Sequence, residues 1–255
     1  MEYKPMRIAV LNLSGNVGKS TLAAQMLKAY RPNAKLLSVE PTNNNDSLNV
    51  ADFEVEELKA SQFKDIYREL MLNDDVILDV GASSIVQFMD ELTKYRSAIG
   101  EFDLIVVPTV PVEKQQKDTY ATIEWLNKLG VPGEKIRVVF NQYTGADTIA
   151  ATYPHVFGYA ESDGKKKATW APHPIVAANE AFEIATQRET TIRALAADKT
   201  DWKAAREAAK AAKDMNALES AMDGQIAHDL AMTAIANLEQ AYEDLLAPYI
   251  KAAKK

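Results

Sequence analysis

The chain has 255 residues, 47% of them hydrophobic, and carries 29 Lys and Arg against 36 Asp and Glu, for a net charge of -7. With no cysteine and three histidines, disulfide staples, thiolate zinc sites and cysteine nucleophiles are excluded, and a histidine-rich metal centre has little to draw on. The acidic balance argues against a surface that is basic throughout, though a local basic patch is compatible with it. No apolar run approaches the roughly 18 residues needed to span a bilayer. The start, Met1-Glu2-Tyr3-Lys4-Pro5, does not read as a signal peptide, so the expected compartment is the cytoplasm.

Arg7 to Leu13 is a short apolar run without helical periodicity and reads as a strand buried on both faces, the kind found in parallel sheets. A glycine-containing turn follows, then Leu22, Ala23, Met26, Leu27 and Tyr30 at helical spacing, closed by Arg31-Pro32-Asn33. Lys35 to Glu40 is a second apolar run, stopped by Pro41. Further runs lie at Val76–Val80, Asp103–Pro108 and Lys135–Asn141. Amphipathic patterns between them predict helices around Phe63–Met71, Ile85–Tyr95 and Tyr120–Leu129. Alternation of this kind predicts an α/β fold, a mostly parallel sheet with helices on both faces.

Beyond about residue 145 the character changes. Residues 152–174 hold three prolines and the run Lys165-Lys166-Lys167; they read as a loop-rich connection with one more strand near His155 to Tyr159. From Ala177 the chain is Ala-rich, and helices are expected at 177–197, 201–213 and 216–247. The expected division is a main domain over 1–197 and a helical extension over 198–255, packed on that domain or on a partner.

Ser14-Gly15-Asn16-Val17-Gly18-Lys19-Ser20-Thr21 lies between a strand and a helix, where a phosphate-binding loop has to sit. Successive backbone N–H groups there form an anion nest, and the helix N-terminus adds its positive dipole end. Lys19 would reach the β- and γ-phosphates, Ser20 would ligate Mg²⁺, and Thr21 would lie on the α-phosphate side. Gly15 and Gly18 allow close backbone approach. The strict G-x-x-x-x-G-K-[ST] pattern is not met, because Leu13 stands at its first glycine. Asp79, ending a strand, would position Mg²⁺ directly or through water; the alternative is a helix cap or turn. Gly81 would admit a γ-phosphate. Glu40 could polarise an attacking water, or else belong, with Pro41 to Asp46, to a turn built of good turn formers.

At these residues the sequence resembles the ParA/MinD family of deviant P-loop ATPases, whose loop reads K-G-G-x-x-K-[ST]. The resemblance covers about residues 6–197, and S-G-N-V-G-K-[ST] with D-V-G-A-S is similar to the StbB/TraL branch of conjugative plasmids. It implies ATP and Mg²⁺ as ligands. It places Glu40 on the catalytic-acid position, the segment from Asp79 through Gly81 on the Walker B strand and second switch, and Asn141 on the adenine-reading position. The segment from Pro172 to Val176 becomes the loop that covers the base. It further implies a slow or partner-stimulated ATPase acting as a nucleotide switch in plasmid stability, positioning or transfer, with a nucleotide-dependent homodimer and a plasmid-encoded DNA-binding partner.

Two departures stand out. Ser14 replaces the family's signature lysine, which reaches a partner's phosphates, and Asn16 replaces a glycine; Lys114 and Lys117 are candidates to supply the missing charge. Lys165 to Lys167 could contact DNA, but three lysines more commonly make a solvated loop. Leu238, Tyr242, Leu245, Leu246, Tyr249 and Ile250 form a helical stripe, and Glu239, Glu243 and Asp244 on the polar face disfavour docking on a membrane. The competing functions are a nucleotide-binding scaffold with little turnover and an ATP-dependent biosynthetic enzyme of the dethiobiotin synthetase type.

Overall fold

The computed structural model describes residues 4–40 and 54–252. Seven strands form one sheet, β1 (Arg7–Val10), β2 (Lys35–Val39), β3 (Val55–Leu58), β4 (Val76–Val80), β5 (Leu104–Thr109), β6 (Ile136–Tyr143) and β7 (Ile175–Ala177), in the order β3-β2-β4-β1-β5-β6-β7. Every pairing is parallel, so the sheet is parallel throughout, not merely for the most part. β3 is an addition to the expected strands: Val55-Glu56-Glu57-Leu58 sits at the edge and carries two carboxylates, so it shows no apolar run.

The strands divide the interior by their period of two. Ala9, Leu11, Leu78, Val80, Ile105 and Val107 face helices α2 (Phe63–Leu72), α3 (Ile85–Lys94) and α5 (Glu113–Leu129). A short helix α4 (Ala98–Glu101) precedes β5. Ile8, Val10, Ile77 and Val106 face the other way. They meet α1, which begins with Lys19–Thr21 and passes into a π-helical stretch at Leu22–Lys28, and α8 (Ala181–Gln187), α9 (Ile192–Ala197) and α11 (Met215–Ala252). Burial on both faces explains why β1, β4 and β5 read as unbroken apolar runs.

The expected strand near His155 to Tyr159 is a helix, α7 (Pro154–Glu161), preceded by the short α6 (Ile149–Thr152). Pro154 at its first turn supplies the fixed φ that favours a helix start, and the aromatics taken for strand residues pack sideways, Tyr159 stacking on Tyr120 and meeting Trp170 edge-on. The expected helix 177–197 is β7's end followed by two helices, interrupted at 188–191. Helix α10 (Trp202–Ala212) and α11 follow. Trp202 lies against Gly224, where a Cβ would come within 2.3 Å of the indole ring; the glycine lets the two helices close on each other.

Leu238, Tyr242, Leu245 and Leu246 are buried against the body, with Tyr242 stacked on Tyr30 at 5.0 Å. The side chain of Ile250 and the residues Lys254 and Lys255 lie outside the described part. Asn237 bridges two of the backbone groups on the free edge of β7, accepting from the Ala177 N–H (2.7 Å) and donating to the Ile175 carbonyl (3.0 Å). It does for this edge what a further strand would do. Among the described residues no helix is long and apolar enough to cross a membrane.

Candidate functional site

β1 lies between β4 and β5, while its own connection leads outward past β4 to β2. Strand order therefore reverses around β1, and a parallel sheet opens a crevice beyond the C-terminal strand ends at such a point. The Ser14–Thr21 loop occupies that crevice.

The base of the loop is anchored from α5. Asn12, fully buried, accepts from the Ser14 N–H (2.8 Å) and donates to the Pro108 carbonyl (2.7 Å) and to Thr119 Oγ1 (3.0 Å). The Leu13 N–H donates to Thr122 Oγ1 at 3.1 Å, and the Ser14 hydroxyl donates to Asp118 Oδ2. Asn16 (φ 58°) and Gly18 (φ 84°) are left-handed. Asn141 at the end of β6 donates through Nδ2 to the Val17 carbonyl at 3.0 Å, and a Cβ on Gly18 would fall 2.3 Å from that nitrogen. Gly18 is favoured by its left-handed backbone angle, and a Cβ there would also push on the Asn141 carboxamide.

Lys19 is 7% exposed and donates from Nζ to the Ser14 carbonyl at 2.6 Å. Burial pushes its pKa down, opposed by the charges of Asp79 and Glu40. Ser20 Oγ donates to Asp79 Oδ2 at 2.5 Å. Asp79 on β4 is fully buried, and its Oδ1 has no hydrogen-bond partner among the described residues. Burial raises its pKa to about 6 against the pull of Ser20 and Lys19. A buried, half-satisfied carboxylate beside a hydroxyl suits a small hard cation, which takes one or two protein oxygens and leaves its other positions to water and phosphate. No group of three or more His, Asp or Glu side chains gathers among the described residues to hold a metal unaided, consistent with that sparse donor set.

Glu40, at the end of β2, reaches over Gly81. A Cβ there would lie 1.6 Å from Glu40 Oε1, and Oε2 accepts from the Ser83 hydroxyl at 2.7 Å. Pro41 to Asp46, which follow it, lie outside the described residues. Gly15, Asn16, Gly18, Lys19, Ser20, Thr21, Glu40 and Gly81 line one cleft of about 410 Å³. A second, of about 570 Å³, shares Gly18 and Thr21 with it and continues along Asn141, Gln142, Ala177–Glu180, Phe182 and Leu230.

Thus Ser14 through Thr21, Glu40, Asp79, Gly81 and Asn141 are brought together. Pro172 is not: its carbonyl accepts from Arg137 Nη2 at 2.6 Å, near the N-terminal end of β6, and residues 177–180 line the second cleft in its place. Lys167 pairs with Glu124, and Lys114 and Lys117 are exposed on α5, the latter paired with Glu113. Asp118, Thr119, Thr122 and Leu230 are unforeseen participants, and Ser83 was read only as the end of the D-V-G-A-S motif. Asn12 alone had a readable signal, a carboxamide ending an apolar strand.

No protein-family model and no curated protein sequence matches the chain. Among solved structures, MinD of Aquifex aeolicus, in its complex with MinC, aligns over 73% of this chain and 87% of its own, at 14% identity and a TM-score of 0.50. The fold is that of MinD. MinD of Pyrococcus furiosus aligns over 76% of this chain and 92% of its own at 16% identity (TM-score 0.48), and Cyanothece McdA in an ATP complex over 76% and 91% at 16% identity (TM-score 0.45).

Proposed function

We propose that the chain binds and hydrolyses Mg-ATP and works as a ParA-like nucleotide switch in plasmid stability, positioning or conjugative transfer. One observation carries the nucleotide reading: the loop from Ser14, Lys19, Ser20 and the half-satisfied Asp79 converge at the strand-order reversal of a parallel sheet, with Glu40 beside them. Residues 15–18 present backbone to the phosphates, and Lys19 exchanges its Ser14 carbonyl for phosphate oxygens. Ser20 and Asp79 would hold Mg²⁺, which supplies charge neutralisation on the phosphates. Glu40 orients the attacking water, and Asn141 reads the adenine from the base of the loop.

The switch would act through the segments after Glu40 and Asp79, ordered or released with the γ-phosphate. A homodimer, a plasmid-encoded DNA-binding partner and a cytoplasmic setting belong to the same proposal, as does the use of 1–197 as the nucleotide domain with 198–255 packed on it. The structural neighbour MinD is itself found with a partner protein, MinC. A second reading, a scaffold with little turnover, is favoured by one specific observation: Ser14 offers a hydroxyl, already given to Asp118 in its own chain, where a trans-acting charge would be needed.

Steady-state phosphate release with Mg-ATP, measured alongside light scattering with and without ATP, tests the proposal. Turnover above that of a Lys19→Ala control, with an ATP-dependent rise in mass, is the expected result. ATP binding without turnover, even with candidate partners present, establishes the scaffold instead.

A further inference from the structure

The second cleft meets the phosphate cradle at Gly18 and Thr21. A nucleotide with its phosphates on the loop would lay its nucleoside there. Two carboxylates, Glu180 and Glu183, line this cleft; they repel phosphate and accept hydrogen bonds from hydroxyl or amino groups. Its larger apolar side chains are Phe182 from α8 and Leu230 from α11, both half-buried.

Leu230 stands far along the chain from the rest of the site, and its position is fixed by hydrogen bonds. Asn179, in the turn between β7 and α8, donates through Nδ2 to the Leu230 carbonyl (3.2 Å) and to Thr233 Oγ1 (3.0 Å). Farther along the helix, Asn237 holds the edge of β7. Helix α11 is therefore seated on the same β7–α8 turn that lines the cleft.

We propose that α11 completes the nucleoside half of the site. Leu230 and Phe182 supply the apolar surfaces on which the base rests, and Asn179 sets the distance of the helix from the cleft. This rests on the reading that Ser14–Thr21 binds a nucleoside triphosphate. Stacking on an aromatic ring and burial of a leucine each translate into about tenfold in affinity. Linkage then requires that nucleoside binding also stabilise the seating of α11.

The test compares Mg-ATP with Mg-tripolyphosphate, which has the phosphates and no nucleoside, by titration calorimetry on the full chain. The wild-type protein is expected to bind ATP more tightly. Leu230→Ala and Phe182→Ala should each weaken ATP about tenfold and leave tripolyphosphate affinity unchanged, which also reports an intact fold; Leu230→Met should retain ATP affinity. Amide exchange in the wild-type protein should slow across 226–237 with ATP and not with tripolyphosphate. Unchanged ATP affinity in Leu230→Ala, or the same exchange with both ligands, overturns the proposal. Equal wild-type affinity for the two ligands also overturns it while leaving the phosphate loop intact, whereas failure to bind either overturns the phosphate-loop reading itself.

Discussion

Arg137 donates from Nη2 to the carbonyl of Asp244 at 2.8 Å. That carbonyl is one α11 cannot satisfy internally, because Pro248, four residues on, has no N–H to return. The same guanidinium donates to the carbonyls of Thr169 (3.0 Å), Ala171 (3.3 Å) and Pro172 (2.6 Å). It is fully buried, has no carboxylate in ion-pair contact among the described residues, and burial holds its pKa down to about 10. A buried cation is retained here by carbonyl dipoles, and it joins β6, the 169–172 segment and the C-terminal helix.

Arg137→Met should therefore destabilise the protein by about 3 kcal/mol or more, since it strands several buried acceptors at once. Pro248→Ala should recover part of that loss in the double variant, because residue 248 then donates to Asp244 itself. Urea midpoints of the two single variants and the double variant check this. Strict additivity would mean that the two residues do not share the Asp244 carbonyl.

Lys19→Ala should weaken Mg-ATP binding at least about tenfold, since a charge-assisted contact to phosphate disappears. The ammonium also serves the Ser14 carbonyl from a buried position, so a modest loss of thermal stability should accompany it. Calorimetry gives the first quantity and a melting curve the second. Unchanged ATP affinity would remove the phosphate-loop assignment.

Asp79 sets a pH dependence with a defined sign. Its folded pKa of about 6 lies above the ordinary 3.8 because burial opposes the charge. Between these values the folded state holds more protons than the unfolded one, so the ligand-free protein should lose stability as pH rises from about 4 to about 6. Cation binding needs the carboxylate, so Mg²⁺-dependent ATP affinity should fall by up to about tenfold per pH unit below about 6 and level off above. Asp79→Asn should weaken the Mg²⁺-dependent part of binding and remove this component. Calorimetry from pH 5 to pH 8 on both proteins separates it from the titration of ATP.

Glu40→Gln should keep ATP affinity and slow hydrolysis at least about a hundredfold, the lower end of what a positioned acid–base group contributes. The amide can still meet Ser83 and still fits over Gly81, so the shape of the cleft is preserved while the charge is lost. Single-turnover rates at saturating ATP give the answer, and a parental rate would leave Glu40 a turn residue.

How far the sequence could be read follows from where its residues end up. β1, β4 and β5 were legible because a strand covered on both faces must be apolar throughout; β3 hid behind Glu56 and Glu57 on an edge, and β7 is three residues long. The aromatics of α7 suggested a strand until Pro154 is seen to start a helix. Gly18-Lys19-Ser20 was legible as a strand-to-helix turn because its residues are consecutive, whereas Glu40, Asp79 and Asn141 come to it from three other strands. Asp118 and Leu230 reach the site only through tertiary packing, across 104 residues in the case of Ser14 and Asp118, and no local pattern marks such pairs.

Ser14 is the position where the structure sharpens the expectation most. Its side chain is buried, and its hydroxyl is held by Asp118 on α5. A lysine at position 14 would meet that carboxylate first, forming an ion pair within its own chain, and would have to leave it to reach phosphates across a dimer. Charge supplied to a transferring phosphoryl group by an arginine finger is worth about 10³-fold or more, so Ser14→Lys alone should raise ATP-dependent self-association and turnover only in part. Adding Asp118→Asn should free the ammonium and raise both further, while Asp118→Asn on its own should raise neither. Light scattering and phosphate release on the three variants test this ordering. If the double variant behaves as the wild-type protein while still binding ATP, position 14 does not face a partner's phosphates, and the charge must come from elsewhere, with Lys114 and Lys117 on the exposed start of α5 next to be substituted.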